Sequence, residues 1–472
     1  MLDPSRGAVD RCGAGSYTST SSVRDAIYEK GVPVVACFVL AATLAAPPAL
    51  ASHPPRMPTV ERVLVHPEDP QRIVIATRFG GYYITRDGGS TFLHVCQEAM
   101  GYDDTEAYPG HYSRAGSVIV STGYSGTASS VDGCGWSTWA PPGPVFIADV
   151  EAPSETSLLA LNSAPNGEGF QNQIWSSTDA GSSWAPLGQP LPPELMGFGV
   201  SASADSAELF VTARSEANVE LVSSLDGGLS WQRKVIAGDT SASPRLVGLV
   251  PGAPGHLVVL LAHEQVDSLT PADVLLISTD AGESFQTLYQ AQRGLPGASF
   301  TEDGVLWFGG PEDGLWSVQL GVAEAFPIQI SAAPVRGLTW SQGKLYSIGD
   351  EATQGYSVAV SEDGGHSFRP LFSFCDDHDE LTCGAGSSVN ALCSQGIESE
   401  IWEPLGEVCG RSSEPPGGSA DPKEPAEESE VRGVLCSLAP PLSGGFYAGG
   451  FAFTALALLA RRRRLRSARC KP

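Results

Sequence analysis

Apolar residues along this chain come in short runs separated by turn residues, and the runs do not keep a helical period. Ile73 to Thr77, Val118 to Thr122, Leu158 to Leu161, Leu209 to Ala213, Leu257 to Leu261 and Leu345 to Ile348 are each four or five residues of β-branched and aliphatic character. A seventh, Val305 to Gly309, precedes Leu315-Trp316-Ser317-Val318. Runs this short, bounded by Gly, Pro, Asp and Ser, predict strands buried on both faces rather than helices. Downstream of most runs the polar residues repeat. Thr85 to Phe92, Ser177 to Trp184, Ser224 to Trp231, Ser278 to Phe285 and Ser361 to Phe368 all read Ser/Thr-x-Asp-x-Gly-x-Ser/Thr-Trp/Phe, and Ser130 to Trp136 is a degraded sixth copy. The aspartate can accept backbone N–H bonds from the residues after it, the glycine tolerates positive φ where the chain reverses, and the aromatic opens the next strand with a flat surface to bury. Each copy carries one carboxylate among small residues, so the pattern predicts a hairpin staple and not a metal site.

The turn aspartates are Asp87, Asp132, Asp179, Asp226, Asp280 and Asp363; their glycines and aromatics are Gly89 and Phe92, Trp136, Gly181 and Trp184, Gly228 and Trp231, Gly282 and Phe285, and Gly365 and Phe368. Successive intervals of 45, 47, 47, 54 and 83 residues fit four-stranded units, the last gap hiding one unit that has a strand run but no turn copy. The expected fold is therefore all-β: a single β-propeller over about residues 57–374, of seven four-stranded blades, with six or eight left open by the degenerate copies. The composition, 54 Gly and 36 Pro against 4 Met in 472 residues, suits short strands and tight loops.

These residues resemble the Asp-box, or BNR, repeat of sialidases, sortilin-type receptors, xyloglucan hydrolases and photosystem II assembly factors. The resemblance implies that each turn joins the third and fourth strands of a blade, on the rim away from the functional face. It also brings activities to test. A sialidase needs three arginines around the substrate carboxylate, a Tyr–Glu nucleophile pair, an Asp acid, and an Arg-Ile-Pro motif; here the corresponding stretch is Gln71-Arg72-Ile73-Val74-Ile75, and no spacing singles out three of the eleven propeller arginines from Arg62 to Arg369. Xyloglucan-type hydrolases set two aspartates across a cleft between two propellers, which one propeller does not form. No Gly-x-Ser-x-Gly elbow, phosphate loop or dinucleotide fingerprint occurs. The reading is a non-catalytic propeller that binds protein or glycan on the face opposite the turns; the alternatives are a sialidase-like glycoside hydrolase and an assembly factor or receptor-like propeller. No catalytic or metal residues are assigned and no cofactor is expected, Ca²⁺ at Asp103-Asp104 or at Asp376-Asp377-His378-Asp379-Glu380 being the one candidate. His66-Pro67-Glu68-Asp69-Pro70 reads as a turn opening a blade.

The ends predict export. An apolar run from Val32 to Leu44 follows Lys30, and Ala49-Leu50-Ala51 offers a small-x-small cleavage pattern before Ser52, so residues 1–51 read as a signal peptide with an extended leading segment. Residues 411–435 form an acidic, Pro-rich linker, and residues 436–472 hold Cys436, an apolar stretch from Gly444 to Ala460 long enough to span a bilayer, and Arg461-Arg462-Arg463-Arg464. That order resembles the MYXO-CTERM sorting signal of bacterial surface proteins, with Leu435 where the family has Gly, and implies anchoring at the cell surface through the C-terminal helix. Six cysteines remain between the two ends, an even number suited to disulfides in an oxidising compartment: Cys96 and Cys134, expected to join adjacent blades, and Cys375, Cys383, Cys393 and Cys409, expected to form two disulfides within a small cap over residues 375–410. Net charge is −25. With the leader's 4 acidic and 4 basic residues and the 7 basic residues after Cys436 set aside, 49 acidic residues stand against 17 basic, which disfavours nucleic acid and anionic lipid as partners.

Overall fold

The computed structural model describes residues 58–101, 111–123, 125–204, 206–265, 270–322, 324–393 and four residues between 406 and 410. Seven four-stranded antiparallel sheets, each made of consecutive strands, form a seven-bladed β-propeller. Blade 1 runs Thr59–Val65, Ile73–Arg78, Tyr82–Thr85 and Leu93–Val95, and the strands of blade 7 end at Arg369–Phe372. First strands of blades 7, 1, 2, 3, 4 and 5 adjoin in that order, as do those of blades 6 and 7, so the first strands ring a central axis. All seven hydrophobic runs are second strands. Their position explains their composition, because a second strand has a sheet neighbour on each side and another blade over each face; Leu257–Ala262 is buried at all six positions.

Seven buried clusters fill the seven blade interfaces, with no common centre. Leu159, Leu161 and Ile174 of blade 3 meet Val200, Leu209 and Val211 of blade 4; Tyr83, Ile75 and Phe92 of blade 1 meet Tyr346, Val358 and Phe372 of blade 7. The last blade thus meets the first by face-to-face packing.

The closure is reinforced from outside. After blade 7 the chain crosses to blade 1, where Asp379–Glu380 pairs in parallel with the outer strand Leu93–Val95 as a fifth strand, and Leu381, Val389 and Cys393 join the cluster between blades 1 and 2. Disulfides Cys96–Cys393 and Cys134–Cys383 tie this C-terminal segment to blades 1 and 2, and Cys375–Cys409 closes its own loop. The pairing corrects the expected one: Cys96 and Cys134 do not bridge each other, and only Cys375–Cys409 lies within the C-terminal group, because the segment lies against blades 1 and 2. The expectations for residues 1–51 and 411–472, including Cys436 and Arg461 to Arg464, and the Asp103-Asp104 candidate lie outside the described residues. No described helix is long and apolar enough to cross a membrane.

Candidate functional site

Each repeated turn joins strands three and four of its blade. In blade 3 the Ser177 hydroxyl donates to Asp179 Oδ1 (2.8 Å) and accepts the Gly181 N–H (2.8 Å), while Asp179 accepts the Ser183 N–H (2.8 Å) and hydroxyl (2.6 Å). Blades 4, 5 and 7 repeat the same four bonds around Asp226, Asp280 and Asp363, and Thr85 and Thr91 serve the same roles for Asp87. In blade 2 Gly135 replaces the last hydroxyl residue, leaving Asp132 with the N–H groups of Cys134 and Gly135. In the five complete copies both aspartate oxygens are bonded within the turn, and in blade 2 only Oδ1 of Asp132 is. The turns bond to the loop between strands one and two of the same blade, as in Ala281 N–H to Gly255 O (2.8 Å) and Gly227 N–H to Ala207 O (3.0 Å); strand alternation then places the second-to-third-strand loops and the blade-to-blade connections on the opposite face.

On that opposite face charged and aromatic side chains gather at the axial opening. Glu61, third residue of the first strand of blade 1, is exposed to water yet crowded by protein. Burial raises its carboxyl above the usual range, and Arg78, Arg245 and His111 oppose the rise. Arg245 belongs to blade 5, so its charge acts on Glu61 across the opening. The Arg78 guanidinium lies over the Phe79 ring (5.1 Å to the centroid), and Arg214 lies over Phe198 in the same way (5.1 Å). Phe79 holds φ at 61°, a left-handed conformation that a bulky side chain seldom adopts.

Deeper along the axis, Asp149 and Glu151 sit two residues apart on the first strand of blade 3 and so project from the same side. Asp149 Oδ1 lies 3.0 Å from His111 Nδ1 of the blade 1–2 connection, and its Oδ2 accepts the Val200 N–H of blade 4 (3.0 Å). Glu151 accepts the Ser201 hydroxyl (2.9 Å) while its Oε2 is buried with no partner. Burial, then the Asp149 charge, push Glu151 up to about 8, against the Ser201 bond and Arg62. At neutral pH Glu151 is therefore a carboxylic acid beside the Asp149 carboxyl. Two carboxyls with separated titration form an acid–base pair when a substrate can lie between them; here Asp149 is spent on blades 2 and 4, and Glu151 points into packed protein.

The structure draws none of the turn residues toward this opening. Nor do the carboxylates of residues 376–380 gather around one point: His378 stacks on Phe372 (4.9 Å) with its Nε2–H donating to Ser373 O (2.8 Å), Asp379 and Glu380 face solvent from the added strand, and the described residues contain no metal-binding group of three or more His, Cys, Asp or Glu. His66 to Pro70 turns between the first two strands of blade 1 rather than opening it. The sequence reading missed Glu61, His111, Asp149, Glu151 and Arg245. A signal existed in Asp149-Val150-Glu151, where acidic residues alternate with an apolar one in a strand that should be buried.

No protein-family model matches the sequence, and no curated protein matches it. Among solved structures the chain is similar to an ancestral GH74 enzyme (TM-score 0.50, 13% identity, 67% of this chain and 46% of that one). It is also similar to the hydrazine synthase of Kuenenia stuttgartiensis (0.48, 10%, 67% and 99%) and to YCF48 bound to D1 peptide (0.43, 15%, 65% and 92%). The chain thus spans less than half the length of the GH74 enzyme. At 13% identity the likeness to the GH74 enzyme is one of fold.

Proposed function

We propose that this chain is a non-catalytic binding propeller, built on Asp-box-type turns, that holds a segment of a protein or glycan partner at the axial opening opposite those turns. One observation carries the reading: the charges of Arg78, His111 and Arg245, from blades 1 and 5 and the connection between blades 1 and 2, act together on Glu61 at that opening, with the Phe79 ring under Arg78. Such a collar offers charges of both signs and ring faces at once, the mixture that recognises an extended chain carrying polar groups. The leader, the acidic linker and the MYXO-CTERM-like tail support export and display at a bacterial surface, and six cysteines all in disulfides fit that environment. A glycoside hydrolase is the second reading, favoured by the Asp149–Glu151 pair alone.

The test is binding to glycan and peptide arrays alongside a fluorogenic-glycoside screen, with wild type and Arg245→Ala. Retention of one ligand class by wild type and at least about tenfold weaker retention by Arg245→Ala are expected. Turnover of any glycoside that Glu151→Gln abolishes sinks the binding reading in favour of the hydrolase.

A further inference from the structure

A second charged feature lies on the other face, among the turns. Arg72, Arg86 and Arg114 line one small cleft between blades 1 and 2, floored by Ile73, Val74, Ile84 and Ile119. Among the described residues none of the three makes an ion pair, whereas Arg233, Arg293, Arg336 and Arg369 each meet a glutamate or aspartate. The Arg114 guanidinium, largely buried, donates only to carbonyls: Nε to Gly116 O (2.9 Å) and Nη1 to Leu64 O (3.2 Å) and Arg72 O (3.4 Å). Arg72 Nη1 donates to the Ser117 hydroxyl (3.3 Å) and Arg86 Nη2 to Asp132 O (3.2 Å), which leaves further N–H groups on each. Burial and then Arg72 lower Arg114 to about 10. The same two arginines, after burial, depress His66, which accepts the Glu68 N–H at Nδ1 (3.1 Å) and therefore presents Nε2–H to Ser117 (2.9 Å). Opposing negative charge comes from Asp132 on the wall, with Oδ1 held by the N–H groups of Cys134 and Gly135, from Asp69, with Oδ1 held by the Gln71 N–H, and from Glu68, whose charge, like that of Asp69, favours the protonated His66. Three cations thus crowd one cleft of a chain whose net charge is −25.

Like charges packed together cost stability unless an anion joins them at close range; the acidic residues here lie nearby without forming an ion pair to any of the three arginines, and guanidinium groups are the donors best matched to oxyanions. We propose that the cleft between blades 1 and 2 is a binding site for a compact tetrahedral oxyanion of the phosphate or sulfate class, held by Arg72, Arg86 and Arg114. The site lies on the face away from the axial collar and is independent of it.

Calorimetric titration of the full chain with inorganic phosphate, inorganic sulfate and a sulfated monosaccharide, each against chloride at matched ionic strength, tests it. Saturable binding in at least one arm is expected, with affinity about tenfold lower or worse in Arg72→Gln and Arg86→Gln and unchanged in the surface control Arg336→Gln. Thermal melts check that each variant is folded, and Arg114, which bridges three carbonyls, is left alone for that reason. The sugar arm separates a free ion from a sulfate ester carried on carbohydrate. Bound anion also moves the His66 titration upward in wild type, read by NMR. Heats no larger than those of chloride in all three arms, or binding that Arg72→Gln and Arg86→Gln leave intact, overturn the proposal.

Discussion

Each repeated turn concentrates its hydrogen bonds on one ionised carboxylate. Those bonds hold Asp87, Asp226 and Asp280 down to about 2, a hydroxyl of the turn being the main cause in each case, and hold Asp363 lower still. An unfolded aspartate titrates near 3.9, so the unfolded chain takes up protons first as pH falls, and the stability these bonds contribute is full above about pH 4 and lost on the way down to about pH 2. Thermal midpoints measured between pH 5 and pH 2 should fall across that window, and Asp280→Asn should fall less steeply. Glu151 carries the opposite sign. Its folded value near 8 exceeds the unfolded one near 4.3, so it loses stability as pH rises between them. Glu151→Gln should flatten the melting profile from pH 5 to pH 8 and raise stability at pH 8 by at least about 1 kcal/mol, since even a tenfold difference in proton affinity between the folded and unfolded chain is worth that much; a variant less stable than wild type at pH 8 would contradict that account. Residue order alone announced the first of these groups, since each aspartate carries its partners within four positions. For Glu151 the sequence offered only the neighbouring Asp149; the burial and the Ser201 and Arg62 partners come from other blades, and no local pattern encodes those.

The turns also make contacts between blades. Gly282 sits at φ 87°, and a Cβ there would lie 2.1 Å from Leu221 Cδ2 of blade 4; Gly89 stands in the same relation to Leu371 of blade 7, at 2.3 Å. Gly282→Ala therefore meets both left-handed strain and a neighbouring side chain, and should cost about 2–4 kcal/mol in denaturant melts. One position earlier, Ala180 and Ala281 already adopt φ 54° and 57° where blades 1, 4 and 7 use glycine. Ala281→Gly should be neutral or stabilising by up to about 1 kcal/mol. Strand runs and turns made the blades countable from sequence, because each motif lies inside a single blade. Blade 6 shows the boundary of that legibility. Its third-to-fourth-strand turn has no aspartate staple, and Leu320 N–H to Gly304 O (3.0 Å) and Gln319 Nε2–H to Asp303 O (2.9 Å) hold it from the neighbouring loop; the blade was visible through its apolar strand runs and the long gap between turns, not through a turn of its own.

Across the whole molecule, what sequence reasoning could not supply was the pairing of distant parts. Cys96 and Cys393 are 297 residues apart and Cys134 and Cys383 are 249 apart, with Cα separations of 5.4 and 5.6 Å; proximity along the chain favoured partners that the ring geometry does not bring together. Disulfides across such long loops constrain the unfolded chain strongly. Removing the longer one in Cys96→Ala with Cys393→Ala should lower stability by about 3–5 kcal/mol, and a non-reduced peptide map should recover Cys96 joined to Cys393. Recovery of Cys96 joined to Cys134 would refute the arrangement. The long bond also changes what kind of object the molecule is. From residue 96 to residue 393 the covalent path returns to its own start, so this protein is a macrocycle with two tails. A single protease cut anywhere inside that circuit yields no fragments until the disulfides are reduced, and the blades on either side of the cut keep each other's address.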